Sequence, residues 1–326
     1  MFVRLTLSAL ALLSLAPGVL AQSPDYFGND DFDASRDLRY TASSDSVRFD
    51  AAFGAMYLQG KEYVYIGDYK LSQLNWQSKV PMLRGSLAVN VGNGFSVRVE
   101  GSTAAFGSSY MEDYDWLGGS DADNAWTDRS QHNDTKLDHY FTGSLSAGYD
   151  LVNDGQSTLR VSGGVKYTDV KWSAYGGSYI YSNGGFRNQF GDFAAGAPGI
   201  TYRQQLPELF VGVDGDVDYG GVRWGGMLRG GVTTYARTTD DHWMRHLQVI
   251  DQLGFAPTFT AGSDLGFALG PNVQLFIDAR YSAIFRQRGQ SDYYDTVTGN
   301  RTIHSSDAGA GELQTLELTG GLKGHF

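Results

Sequence analysis

The sequence predicts an all-β chain folded as a ten-stranded antiparallel transmembrane β-barrel with long extracellular loops and short periplasmic turns. Three observations predict it. From Ser46 onward, apolar and polar side chains alternate with a period of two, the mark of strands with one apolar and one polar face. Tight glycine- and asparagine-containing turns recur at one end of successive strand pairs, and longer polar connections recur at the other. The last strand is apolar on one parity (Leu316, Leu318, Leu322) and ends in Phe326, as in the closing strands of bacterial outer-membrane barrels.

In chain order, residues 1–21 read as a secretory signal peptide: Arg4, an apolar run from Leu5 to Leu15, then Pro17-Gly18-Val19-Leu20-Ala21 with small residues at the cleavage positions. Residues 22–45 are acidic and aperiodic, an amino-terminal arm whose aspartates read as solvated rather than calcium-binding. Residues 46–326 form one barrel domain. Val47, Phe49, Ala51 and Phe53 alternate with Arg48 and Asp50, and Leu87, Val89 and Val91 with Ala88 and Asn90. After the turn Gly92-Asn93-Gly94, Phe95, Val97 and Val99 alternate with Arg98 and Glu100. Further pairs turn at Asn153-Asp154-Gly155, Tyr219-Gly220-Gly221 and Gly270-Pro271-Asn272, and the polar connections fall near 113–134, 178–197, 242–249 and 288–311. Charges such as Arg98, Glu100, Asp278 and Arg280 opposite the apolar face distinguish these strands from those of a soluble sandwich and belong in a lumen.

Composition narrows the function. Apart from the leader, no apolar run approaches the ~20 residues of a membrane-spanning helix, and mean hydropathy is −0.30. The chain has no cysteine, 43 glycines, 20 tyrosines and 18 phenylalanines, so its stability comes from strands, turns and aromatics rather than disulfides. A formal charge of −11 argues against nucleic acid and for cationic partners.

No Gly-x-Ser-x-Gly elbow occurs, and cysteine nucleophiles are impossible. His242 and His246 have the i, i+4 spacing of a helical zinc pair but lie at a strand-to-loop boundary, and Asp214, Asp216 and Asp218 lack the glycine and glutamate of a calcium loop, so no metal site is expected. What remains is Asp113 and Asp115 within Tyr110-Met111-Glu112-Asp113-Tyr114-Asp115-Trp116, and Asp240 with His242. Each pair shares a face if extended, with Cα atoms ~6.5 Å apart. A histidine polarised by an aspartate can deprotonate water, and a facing carboxylate pair can hold it, giving peptide hydrolysis without metal or covalent nucleophile. The strict period from Val99 or Val222 would point these residues outward, so each strand needs a phase slip. Gly107 and the pair Gly230-Gly231 are the expected bulge sites.

The words KLSQLNW (70–76), MEDYDW (111–116), WTDRSQHND (126–134), GGSYIYS (176–182), GFR (185–187) and TDDH (239–242) closely resemble the omptins, outer-membrane proteases of Gram-negative bacteria, from about residue 38 to Phe326. The resemblance implies catalytic roles for Asp113, Asp115, Asp240 and His242 and cleavage next to basic residues, with a dibasic preference. Glu62 and Asp128 match the family's acidic substrate-binding positions, whereas a further acidic position is Thr238 here, leaving one countercharge missing. It also implies dependence on lipopolysaccharide as an activating lipid rather than any cofactor, through outward residues matching Tyr167, Asp169 and Lys171, with Arg203 on the next strand able to join them. Charge on a lipid face can equally snorkel at the interface, so both readings stand at the level of the residues. Lysine stands at 171 where arginine is usual, and Gln205 replaces another arginine. The expected location is the outer membrane, with the active site facing the exterior and cationic peptides or proteins as substrates. The rival reading is a non-enzymatic barrel acting as an adhesin or surface-binding protein.

Overall fold

The computed structural model of the chain describes residues 47–326. The expected signal peptide and acidic arm lie outside them. In order, the strands are β1 (Val47–Ile66), β2 (Tyr69–Gly92), β3 (Phe95–Ala104), β4 (Ser108–Asp115), β5 (Asp128–Asn153), β6 (Ser157–Tyr175), β7 (Ser178–Tyr181), β8 (Gln189–Asp192), β9 (Pro198–Asp218), β10 (Val222–Thr233), β11 (Arg237–His242), β12 (Leu247–Leu253), β13 (Pro257–Gly270), β14 (Val273–Asp295) and β15 (Arg301–His325). All neighbours pair antiparallel, and β1 pairs with both β2 and β15, which closes the ring. Three passes are split in two: β3 and β4 both lie between β2 and β5, β10 and β11 both pair with β9, and β12 and β13 both pair with β14. The short hairpin β7–β8 leans on β5 above the wall. The wall is therefore crossed ten times.

The alternation is realised as read. Phe49, Phe53, Leu83, Leu87, Val97, Val99, Leu145, Val211, Leu228, Ile277 and Leu318 are exposed on the outside, an apolar band facing lipid. The opposite parity fills the lumen. Low in the barrel, Arg84 donates to Asp278 at 2.7 Å and to Glu317 at 3.4 Å, and Arg280 donates to Glu100 at 2.6 Å. Higher up, Trp76, Trp172 and Tyr202 stack across the interior with centroids 5.9–6.3 Å apart, and Trp172 donates its indole N–H to Ser78 at 2.9 Å. Gly60 makes room for that stack, because a Cβ there would lie 2.8 Å from the Trp172 ring. The aromatic layer, with Trp76, Trp172 and Tyr202 wholly buried, makes a packed floor.

The polar connections differ from expectation. Strands of up to 26 residues far exceed the ~9 to 11 needed to cross a bilayer, so much of what reads as loop is paired strand standing above the apolar band. The segment near 242–249 is reduced to a turn at Trp243–Arg245, and that near 288–311 is largely a β14–β15 hairpin. Polarity, which marks loops in soluble proteins, here marks strand lifted out of lipid.

Candidate active site

Two phase slips set the site. Between the β2–β3 rung Met82–Ala104 and the β2–β4 rung Lys79–Ser108, β2 advances three residues while its partner advances four. The extra residue turns the odd positions of β4 inward, carrying Asp113 and Asp115 into the lumen mouth. Gly107 makes the slip, as expected: its φ is +93°, and a Cβ there would lie 2.5 Å from the Lys79 carbonyl oxygen. The second slip corrects the reading of Gly230-Gly231. Those glycines stay in register with Val211 and Phe210, and the extra residue enters between Thr233 and Arg237, where Tyr235 adopts φ +54°. The even positions of β11 then face inward, bringing Thr238, Asp240 and His242 to the opposite wall. Glycine is the conformationally easiest choice for a left-handed residue, but a fully exposed tyrosine accepts it at a cost of about 1–2 kcal/mol.

The four residues converge above the aromatic floor and outside the apolar band. His242 Nε2 lies 2.7 Å from Asp240 Oδ2, and Asp240 is 2% exposed. Burial opposes the imidazolium, but the Asp240 charge and hydrogen bond, with Asp113 across the cleft, outweigh it and raise the His242 pKa. Asp113 accepts from the Ser72 hydroxyl at 3.2 Å. Burial first, then the neighbouring Asp115 charge, pushes the Asp113 carboxyl well up; Asp115 is also raised, by burial and by Asp128, against the opposing Ser72 bond. Like charges this close in a desolvated cleft share a proton.

Glu62 and Asp128 lie in the same cleft. Glu62, on β1, is 1% exposed and within hydrogen-bonding reach of Asp240; burial, then Asp240 and Asp251, raise it well above the usual carboxylate range. Asp128, opposite Asp115 on β5, accepts from the Ser182 backbone N–H at 3.0 Å. Above it, burial and the charges of Asp113, Asp115 and Asp128 raise the Tyr181 hydroxyl to about 12.

On the outer wall, Tyr167, Asp169, Lys171 and Arg203 also cluster. Asp169 accepts from Arg203 Nε at 2.9 Å and sits 3.0 Å from His139 Nε2, while Lys171 Nζ is 4.0 Å from Asp138 and Gln205 donates to Tyr167 at 3.0 Å. His139 escaped the sequence reading because only the β5–β6 register brings it beside this group. Asp251, Ser72 and Tyr181 were missed too. For Asp251 a signal existed: it is the one acid on the otherwise apolar inward parity of Val249 and Leu253.

Comparison with known proteins bears on the fold. The family model described as the omptin family matches residues 43–326. The plasminogen activator of Yersinia pestis is 27% identical, the match covering 90% of this chain and 94% of the relative. The outer membrane protease OmpP of Escherichia coli K12 is 26% identical, over 97% and 98%. The crystal structure of the outer membrane protease OmpT from Escherichia coli superposes with a TM-score of 0.82 at 24% identity, covering 90% of this chain and 100% of that one.

Proposed function

The chain belongs to the omptin family of outer-membrane proteases, and from that premise we propose that it is an endopeptidase cleaving beside basic residues by water attack. The supporting observation is the convergence, across the mouth of a closed barrel, of an Asp240–His242 pair with Asp113 and Asp115. His242, in its neutral form, takes a proton from a water that attacks the scissile carbonyl. Asp240 orients the ring and stabilises the imidazolium that forms; the proton then passes to the leaving amine. The Asp113–Asp115 pair, holding one proton, positions that water and can donate to the developing oxyanion.

Glu62 and Asp128 favour substrates bearing cationic side chains, and the acidic mouth draws them in. Dibasic preference follows if each acid receives one side chain. The outer-wall cluster of Lys171, Arg203 and His139 around Asp169 and Tyr167 offers cations to lipopolysaccharide phosphates at the height where the wall leaves the apolar band.

The test is a quenched peptide with an Arg-Arg bond, offered to the refolded barrel with and without lipopolysaccharide, beside the variant His242→Ala. Cleavage that needs His242 and rises with the lipid is expected. Its absence in both conditions, from a barrel shown by circular dichroism to be folded, would reject the reading.

A further inference from the structure

Position 238, where omptins usually carry a further acid, is a threonine, yet the structure places a carboxylate on that same rung. Thr238 pairs with Asp251 across β11 and β12, and both side chains face the lumen, almost wholly buried. The Thr238 hydroxyl donates to Asp251 Oδ2 at 2.8 Å, and the Ser291 hydroxyl from β14 donates to Oδ1 at 2.6 Å. Gly309 of β15 leaves the space these oxygens occupy: a Cβ there would lie 2.2 Å from Asp251 Oδ1 and 2.6 Å from Ser291 Oγ. Three strands beyond its own thus hold this carboxylate in place.

What surrounds it is short of positive charge: Arg245 reaches Tyr293 but, among the described residues, makes no ion pair with Asp251 or Glu62. Asp251 acts electrostatically on Glu62, Tyr202 and Tyr293, all of which Asp240 also reaches. Among the described residues the ion-pair partner of Asp240 is His242, and neither Glu62 nor Asp251 has one. In the same layer Gln204, 1% exposed, spends its amide N–H on Tyr202 and the Glu312 carbonyl, and its Oε1 has no donor. A buried acceptor without a donor costs about 1–3 kcal/mol, and a guanidinium or ammonium group supplies what is absent here, donors and charge together. Burial raises Asp251 only to about 6, against the two hydroxyls that favour its ionised form, whereas burial with Asp240 and Asp251 raises Glu62 well above its usual range.

We propose that Asp251 is a specificity-determining residue, supplying from the neighbouring strand the countercharge that residue 238 lacks and receiving the arginine or lysine side chain that precedes the scissile bond. The assignment rests on the endopeptidase reading. An aspartate at 238, set beside Asp251, would share a proton with it and sharpen selection little.

The experiment compares two quenched peptides, with arginine or with glutamine before the bond, on the wild type, Asp251→Asn, and the double variant Thr238→Asp/Asp251→Thr, which moves the carboxylate across the rung. Asparagine should lower kcat/KM for the arginine peptide about 10- to 100-fold, with a fall on the glutamine peptide at least tenfold smaller. The double variant should recover arginine preference to within about fivefold of wild type, and it remains informative if Asp251→Asn does not fold. Equal falls on both peptides, or an unchanged arginine peptide, would overturn the assignment. Titration with argininamide, followed by intrinsic tryptophan fluorescence, separates the two readings. A wild type that cut neither peptide would end the protease reading, while equal argininamide affinity in wild type and Asp251→Asn would end this one.

Discussion

At the scale of single residues, the site is governed by where protons rest. His242 is lifted by Asp240, although its burial pulls the other way. A general base works when neutral, so kcat should rise with pH through that raised pKa, and the acid limb of the profile should lie above the usual histidine value of about 6.5. In Asp240→Asn the main support of the imidazolium is gone, and burial with Arg245 opposes Asp113 alone, which favours neutral imidazole. The limb should move to lower pH while kcat falls about 10²- to 10⁴-fold, because the ring loses its orienting partner. A pH–rate profile of both proteins decides this; a limb that stays in place would show that it belongs to another group. Glu62 teaches the complementary lesson. The sequence makes it an acid that awaits a cation, but the fold buries it against Asp240, and burial with that neighbouring charge raises its pKa well above the usual range.

Among the elements, the decisive ones are those where alternation breaks. Asp113 and Asp115 face the lumen only because one extra residue enters at Gly107, whose φ of +93° and 2.5 Å approach to the Lys79 carbonyl leave no place for a methyl group. Gly107→Ala should therefore destabilise the β3–β4 junction by about 1–3 kcal/mol and cut activity far more than it lowers the melting temperature, since it unsettles the aspartate pair. Gly230→Ala is the control. Nothing lies within 4 Å of its Cβ position and its φ is unremarkable, so activity and stability should stay near wild type. Similar activities for the two alanine variants would show that the first slip is held by something other than Gly107.

For the whole molecule, closure makes the chemistry possible. β4 and β11 stand on different sides of the ring, joined by no shared rung, and only the barrel's circumference brings their carboxylates into electrostatic contact. The aromatic stack and the charged layers beneath them close the lumen, so substrate has one approach, from the lifted strand ends. The outer cluster lies on β5, β6 and β9, next to the β11 that carries Asp240 and His242, so on the proposed function a lipid phosphate bound there would steady β11. Lys171→Ala/Arg203→Ala should fold in detergent and lose most of the activation by lipopolysaccharide, about tenfold or more. Activity measured against added lipid tests this, and an unchanged response would place the lipid elsewhere.

The sequence by itself determined the barrel and the face of nearly every wall residue, because a period of two maps directly onto outside and inside once one face must meet lipid. It also named the four residues at the mouth and the glycine that turns the first pair inward, since Gly107 combines a broken period with a residue suited to a bulge. The tertiary structure alone decided the rest. Tyr235 rather than a glycine pair carries the second slip, because a left-handed residue is a local expense that the surrounding register can impose on any exposed side chain. Asp251 joins the site although it lies far along the chain from Glu62, because burial and charge act through space across a closed lumen, and adjacency across strands leaves almost no trace in the order of residues.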